Sequence, residues 1–313
     1  MTRSPLTRLS LDGGQSGMRL RVDLPDGGQV AASGPGVLTD RPVLEQVAES
    51  ARALAAAHAV RIDEVAVGVS GLTPSATRPE ALLEALNGIG VRRVAVAHDS
   101  ISGYLAANGT APGVMLAVGT GVVVLAASER GVAKVDGWGY LIGDAGSGYW
   151  IGRAGLDAVM RARDGRGPET ALTDAAAAEF GPLDEIYMAL QADERRVSRI
   201  ASFCRTTVEA AESGDAVAAG IATRAAAELA HSAHSALVQA GWREGTATRV
   251  SAVGAPPTKS RYFRRLLEEA LHEHGLGEAV NEPLHPEPID GVAALLDVAE
   301  RHPLHALIAT AGR

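Results

Sequence analysis

One order of strands and helices is legible twice in this chain, and that duplication restricts the fold more than any single motif. In the first passage TRLSL (7–11) runs into Asp12-Gly13-Gly14. MRLRVDL (18–24) then sets Met18, Leu20, Val22 and Leu24 on one face with a period of two, and QVAAS (29–33) follows the turn Asp26-Gly27-Gly28. These read as three strands of a meander joined by tight glycine turns. A helix over 42–58, with Pro42 in its first turn, leads to EVAVGVSGL (64–72), an apolar run expected of a strand buried on both faces. A helix over 79–86, the strand RRVAVAHD (92–99) and a helix from Ser100 complete the passage. From Gly113 the order resumes with GVMLAV, Gly119-Thr120-Gly121, VVVLAAS, a turn at 129–131 and VAKVDG. A mostly helical insertion over 147–242 precedes the strand RVSAVG (249–254), a helix over 259–274, a short strand and a helix over 289–300. Two similar α/β halves are expected, with a ligand cleft between them at the ends of their strands. Their expected extents are 1–112, completed by a C-terminal helix over 301–313, and 113–300.

At 313 residues the chain has room for both halves, and an apolar fraction of 46% supplies their cores. Only 4% is aromatic, so Ala, Val and Leu must fill those cores. The 29 Lys and Arg against 37 Asp and Glu give a net charge of −8, which argues against nonspecific nucleic-acid binding. The one cysteine, Cys204, excludes an internal disulfide framework and an iron–sulfur cluster held by this chain's own thiolates. No apolar run reaches the length of a signal peptide or a membrane span, so a cytoplasmic protein with no membrane partner is expected.

Five places carry chemistry. At Asp12-Gly13-Gly14-Gln15-Ser16 two glycines let backbone N–H groups approach an anion, Ser16 adds a hydroxyl, and Asp12 suits a hydrated metal ion; a plain hairpin turn reads equally from the same residues. Gly119-Thr120-Gly121 holds the matching place in the second half, and the pair together favours a phosphate grip over two turns. His98-Asp99-Ser100 closes a strand before a helix, where Asp99 is either a general base or a helix cap. In the loop 137–150, five glycines accompany four large aromatics in a chain with 3 Trp. There Asp144 suits polyol hydroxyls and Trp138 suits a sugar face, or the loop packs for structure alone. Val253-Gly254 opens toward Lys259-Ser260, a place for a base or ribose, or an ordinary strand-to-helix turn capped by Thr258 or Ser260.

Taken together, these places resemble the sugar-kinase branch of the actin, Hsp70 and hexokinase-like superfamily. More narrowly they resemble the N-acetylglucosamine kinase group within the BadF/BadG/BcrA/BcrD ATPase family. The resemblance runs from Asp12 to about Ala299 and is most specific at GWGYLIGDAGSGYWIG (137–152). It implies a duplicated actin-like (ribonuclease H-like) α/β fold and an ATP-dependent kinase using Mg2+. The implied substrate is an amino sugar or hexose, N-acetylglucosamine or glucosamine being converted to the 6-phosphate, and a homodimer is compatible with it. By resemblance Asp12, Gly13, Gly14 and Ser16 form the first phosphate motif, with the metal at Asp12, and Gly119, Thr120 and Gly121 the second. Gly254 and Lys259 fall in the adenosine motif, Asp99 matches the catalytic base at the sugar, and Gly137, Trp138 and Asp144 match sugar-binding positions. Phe203-Cys204-Arg205 and Ser213-Gly214-Asp215 resemble family helices beside the nucleotide. Where the family carries polar residues after the second Gly-Thr-Gly, this chain has Val122 and Val123. The usual Glu after Asp144 is Ala145, and the loop 33–38 lacks the usual Asn. These departures leave room for altered sugar choice or a degenerate, non-catalytic sensor; a BadF-type activating ATPase is the other rival.

Overall fold

The computed structural model describes residues 6–14, 17–38, 40–73, 75–277 and 279–313. In chain order the elements are β1 (Arg8–Gly14), β2 (Gly17–Asp23), β3 (Gln29–Gly34), α1 (Val43–Ala57), β4 (Glu64–Val69), α2 (Pro79–Ala85), β5 (Arg93–His98) and α3 (Asp99–Asn108). They continue as β6 (Gly113–Val118), β7 (Val122–Ala127), β8 (Val132–Val135), α4 (Gly148–Arg163), α5 (Leu172–Phe180), α6 (Ile186–Ala192), α7 (Arg196–Glu212) and α8 (Ala216–Gln239). Last come β9 (Arg249–Val253), α9 (Ala255–Lys259), α10 (Arg261–Glu273), α11 (Pro288–Ala294) and β10 (Ala309–Gly312). The chain forms two compact units. One runs to Ala111 and takes in 129–132 and 283–313; the other comprises 112–128 and 133–282. The fold is the duplicated actin-like α/β class.

The first unit is built on a sheet of order β10-β5-β4-β1-β2-β3. β1, β4 and β5 are parallel neighbours, and β2, β3 and β10 join antiparallel. Strand alternation sorts side chains by size. Leu9, Leu11, Val65, Val67, Val69, Val94 and Val96 join α1 and α2 in one core. The other face carries small residues, and there α3 and α11 come down onto the strands. Gly68 permits this, since a Cβ on it would collide with Ser102 of α3 and with Val292 Cγ2 of α11 at 2.9 Å. Gly291 likewise lets α11 cross α3 against the carbonyl of Ser102.

The second unit has a sheet of order β8-β7-β6-β9, with β6 antiparallel to β7 and parallel to β9. The short strand expected after α10 is reduced to one bridge between Ser251 and Asn281. The insertion is five helices, α4 to α8, and the alanines of α8 pack at its centre. Gly152 and Gly155 of α4 face the backbone of Ile200 and the Phe203 ring of α7, where any side chain would overlap.

Three expectations are corrected. The helix expected over 289–300 stops at Ala294, because the Leu296 carbonyl is taken at 2.9 Å by the Arg93 guanidinium and Asp297 pairs with Arg8 at 2.9 Å. No helix spans 301–313: Pro303 opens a 3-10 turn to Leu307, and Ala309–Gly312 alternates as β10 along the otherwise open edge of β5. Residues 283–300 lie with the first unit, not the second. Among the described residues no helix is long and apolar enough to cross a membrane.

Candidate active site

In the first unit three parallel strands end side by side. Gly13 is in register with Val69, and Val69 with His98, which brings Asp12 near the end of β1 and Asp99 at the start of α3 to one sheet edge. Burial pushes the Asp12 carboxyl above the usual range, Arg19 pulls it back, and the charge of Asp99 pushes it up again. Arg19 faces Asp12 from β2, with Nη2 3.2 Å from Oδ2. A partly buried carboxylate facing a second carboxylate gains from a cation. One or two carboxylates plus water is the donor set of Mg2+, so these residues fit that ion. A side chain on Gly13 would meet Val69 Cγ1 at 2.7 Å and Val37 Cγ2 at 3.2 Å, so packing alone requires this glycine, whereas space at Gly14 is open. Ser16, assigned to the same motif, lies outside the described residues.

Both residues weighed as caps of α3, Asp99 and Ser100, are relieved of that task by His98. Its Nδ1 accepts the Ser100 backbone N–H at 3.2 Å and lies 2.9 Å from Ser100 Oγ and 2.8 Å from Asp99 Oδ1. The Asp99 side chain is 42% exposed at the strand end. His98 is the residue the sequence reading passed over here; an Asx-like cap by histidine has no composition signal of its own.

In the second unit the Gly119 N–H donates to the Gly121 carbonyl at 2.8 Å and closes the hairpin between β6 and β7. The carbonyls of Gly119 and Thr120 accept the N–H groups of Gly148 and Tyr149 at 2.8 and 3.0 Å, and the Trp150 N–H donates to Ser147 Oγ at 3.2 Å. The first amides of α4 are therefore spent inside the protein. An anion at this place meets the hairpin itself and the exposed Thr120, not the helix end.

Asp144 lies against the same hairpin. A Cβ on Gly121 would come within 2.5 Å of its Oδ2. The residue is buried, adopts φ 58°, and accepts the Gly139 N–H at 3.2 Å. Burial raises its carboxyl above the usual range; the Gly139 and Val122 N–H groups oppose that, and Asp136 adds to it. A pocket of about 230 Å³ opens here, lined by Ala117, Gly121, Val123, Gly137, Gly139 and Asp144. Val122 borders it but sends its side chain into the core at 2% exposure, so only Val123 presents a methyl face. Trp138 is 74% exposed and does not line this pocket.

A second missed residue organises the loop. Asp136, at φ 58°, accepts the N–H groups of Gly137 and Asp144 at 2.8 and 2.7 Å through Oδ1 and of Ala145 at 3.0 Å through Oδ2. One carboxylate thus joins both ends of the loop that carries Asp144. The only sequence signal was an Asp-Gly pair where a turn begins.

Gly254 follows β9, beside the hairpin strand β6. At φ 97° a side chain there would also overlap the Val118 carbonyl. Lys259 ends α9 and is exposed, and Ser260 caps α10 by accepting the Phe263 N–H at 3.1 Å. Cys204 is buried and its thiol is pushed up to about 12, which removes it as a thiolate ligand at neutral pH. Phe203 lies in the core, and Asp215 caps α8 through the Ala218 N–H at 2.8 Å.

A stretch of 62 residues is 47% identical to an N-acetyl-D-glucosamine kinase of Dictyostelium discoideum. A stretch of 128 residues is 33% identical to an N-acetylmuramic acid/N-acetylglucosamine kinase of Clostridium acetobutylicum. These matches span 20% and 37% of this chain, and 19% and 39% of the two relatives. The crystal structure of a candidate N-acetylglucosamine kinase from Chromobacterium violaceum superposes with a TM-score of 0.68 at 20% identity, over 94% of this chain and 99% of that one. Residues 26–296 match the model of one family over most of the chain's length, and the chain belongs to that family, the BadF/BadG/BcrA/BcrD ATPases.

Proposed function

We propose that this protein is an ATP-dependent kinase that phosphorylates a hydroxyl of an amino sugar, N-acetylglucosamine or glucosamine at the 6-position. Family membership and the kinase names of both matched relatives support the reaction class. The observation that carries the reading is Asp99: a half-exposed carboxylate at the end of a parallel strand, freed from capping by His98. Phosphoryl transfer asks a protein for positioning and charge neutralisation rather than covalent work. In this role Asp99 accepts the proton of the attacking hydroxyl. Gly13, Gly14 and Ser16 in the first unit, and Gly119, Thr120 and Gly121 in the second, hold phosphate oxygens, while Gly254 and Lys259 flank the adenosine. Asp144 accepts sugar hydroxyls, with Gly137 and Trp138 beside it. Mg2+, when bound, neutralises phosphate charge, and Asp12 is the carboxylate that holds it through water. The test is a coupled assay of ADP formation with a panel of hexoses and amino sugars. Amino-sugar-dependent turnover in the wild type is expected, falling roughly 10²–10⁴-fold in Asp99→Asn with nucleotide affinity little changed. Near-normal turnover in that variant would reduce Asp99 to a structural residue.

A further inference from the structure

One cavity of the first unit lies away from the edge that holds Asp12 and Asp99. It encloses about 470 Å³ and is lined by Arg61, Asp63, Asn87, Gly90, Arg92 and Arg313, together with the buried Val91. Three neighbouring strands supply it from their other ends. Arg61 and Asp63 precede β4, Arg92 precedes β5, and Arg313 follows β10, which runs antiparallel to β5.

The backbone around it is laced together. The Ile62 N–H donates to the Ile89 carbonyl at 3.1 Å, the Arg92 N–H to the Asp63 carbonyl at 2.9 Å, and the Arg313 N–H to the Arg92 carbonyl at 3.0 Å. The three arginines therefore spring from backbone that is held in place. Arg61 lies flat on Gly90, where a Cβ would stand 3.1 Å from both Nε and Nη2. Gly90 has φ 96°, so its backbone conformation and the close approach both call for glycine.

The charges do not balance. Asp63 is the one carboxylate among the lining side chains, and it is already engaged by the Arg92 guanidinium at 2.5 Å and the Thr7 N–H at 3.0 Å. Arg313 donates to neutral acceptors, Asn87 Oδ1 and the Leu83 carbonyl. Arg61 has no carboxylate within ion-pair distance among the described residues. Three guanidiniums against one side-chain carboxylate leave positive charge around a space larger than a simple ion.

We propose that this cavity is a second binding site, for a phosphate monoester of a small polar molecule. At neutral pH a phosphate monoester is an anion of the sign these guanidiniums attract. Its oxygens accept the paired donors of guanidinium forks, and Asn87 supplies an amide for the polar remainder. The site is separate from the sheet edge assigned to phosphoryl transfer and does not depend on that assignment.

Calorimetry on the full chain, at low ionic strength and without Mg2+, tests it with two probes: inorganic phosphate and glucosamine 6-phosphate. Both bind the wild type, and Asp12→Asn and Asp99→Asn leave that binding unchanged. Arg61→Gln weakens it roughly tenfold, and Arg61→Gln with Arg313→Gln removes it, while Arg61→Lys retains part. Tighter binding of the ester identifies the organic phosphate as the ligand, and equal binding identifies free phosphate; either supports the site. No binding by the wild type, or equal binding by the double variant with its thermal unfolding intact, overturns it. Loss of binding in Asp12→Asn instead would move the phosphate to the opposite edge and also overturn it. Failure of the kinase assay leaves every one of these outcomes readable.

Discussion

At the scale of single residues, neighbours in sequence have opposite duties. Val122 and Val123 are adjacent on β7, and strand alternation sends one into the core and the other to the pocket beside Asp144. Val122→Ser should lower the melting temperature, because a hydroxyl is buried without a partner at a cost of about 1–3 kcal/mol. Val123→Ser should leave unfolding nearly unchanged and shift the ratio of kcat/KM between N-acetylglucosamine and glucose. If the two variants exchange these effects in calorimetric scans and kinetics, the pocket lies on the other face. Asp136 is a second case. Asp136→Asn retains one acceptor oxygen in place of two, so the loop should loosen and KM for sugar should rise more than kcat falls. Asp136→Ala should do the same more strongly. Asp12, Asp99 and Asp144 stood out as candidates, Asp12 and Asp144 beside glycines and Asp99 where an apolar strand gives way to a helix. The sequence did not reveal His98 or Asp136, whose work is done through bonds to backbone N–H groups that any loop residue can offer. It also paired the two valines as one feature, which a period-two strand forbids.

Elements were readable wherever burial imposed a period. β4 is buried at all six positions, as its apolar run implied, and β2 alternates as expected. The tail was misread because helix and strand patterns are alike over so few residues; an open neighbouring edge, which sequence does not display, decided for β10. Close helix crossings were equally hidden. Gly152→Ala would ordinarily gain about 1 kcal/mol of helix propensity. Here the added methyl overlaps the Ile200 carbonyl, so the variant should instead lose about 1–3 kcal/mol in denaturant titration. A different test applies where α8 meets α10. The rings of His231 and His234 lie 6.0 and 5.2 Å from His274, and His234 also abuts Trp242 at 6.2 Å. Burial depresses the pKa of His274, the two α8 histidines depress it further, and Glu273 opposes them. A histidine whose folded pKa is depressed contributes stability above its ordinary value of 6.5 that is lost as pH falls below it. His274→Gln should flatten the decline in melting temperature between about pH 7 and pH 5. An unchanged slope would mean that the surroundings of His274 do not depress its pKa.

For the molecule as a whole, the duplication read in the sequence is real but unequal. The first sheet has six strands, while the second has four and a lone bridge. The first unit is finished by residues from the far end of the chain. Deleting 309–313 should uncover the edge of β5 and sensitise the first unit to proteolysis, with the second left comparatively resistant; uniform sensitivity would show that the two unfold as one. The return of residues 283–313 to the first unit also has a consequence in time. During synthesis β5 and α3 emerge early, but the helix and strand that cover them begin 180 and 201 residues after the end of α3 (288 − 108 and 309 − 108). At the usual pace of translation that is a wait of roughly ten to forty seconds. Over that interval the later unit is completed first, reversing the order in which most proteins mature on the ribosome, and the unfinished unit is the one that waits with the edge of β5 uncovered.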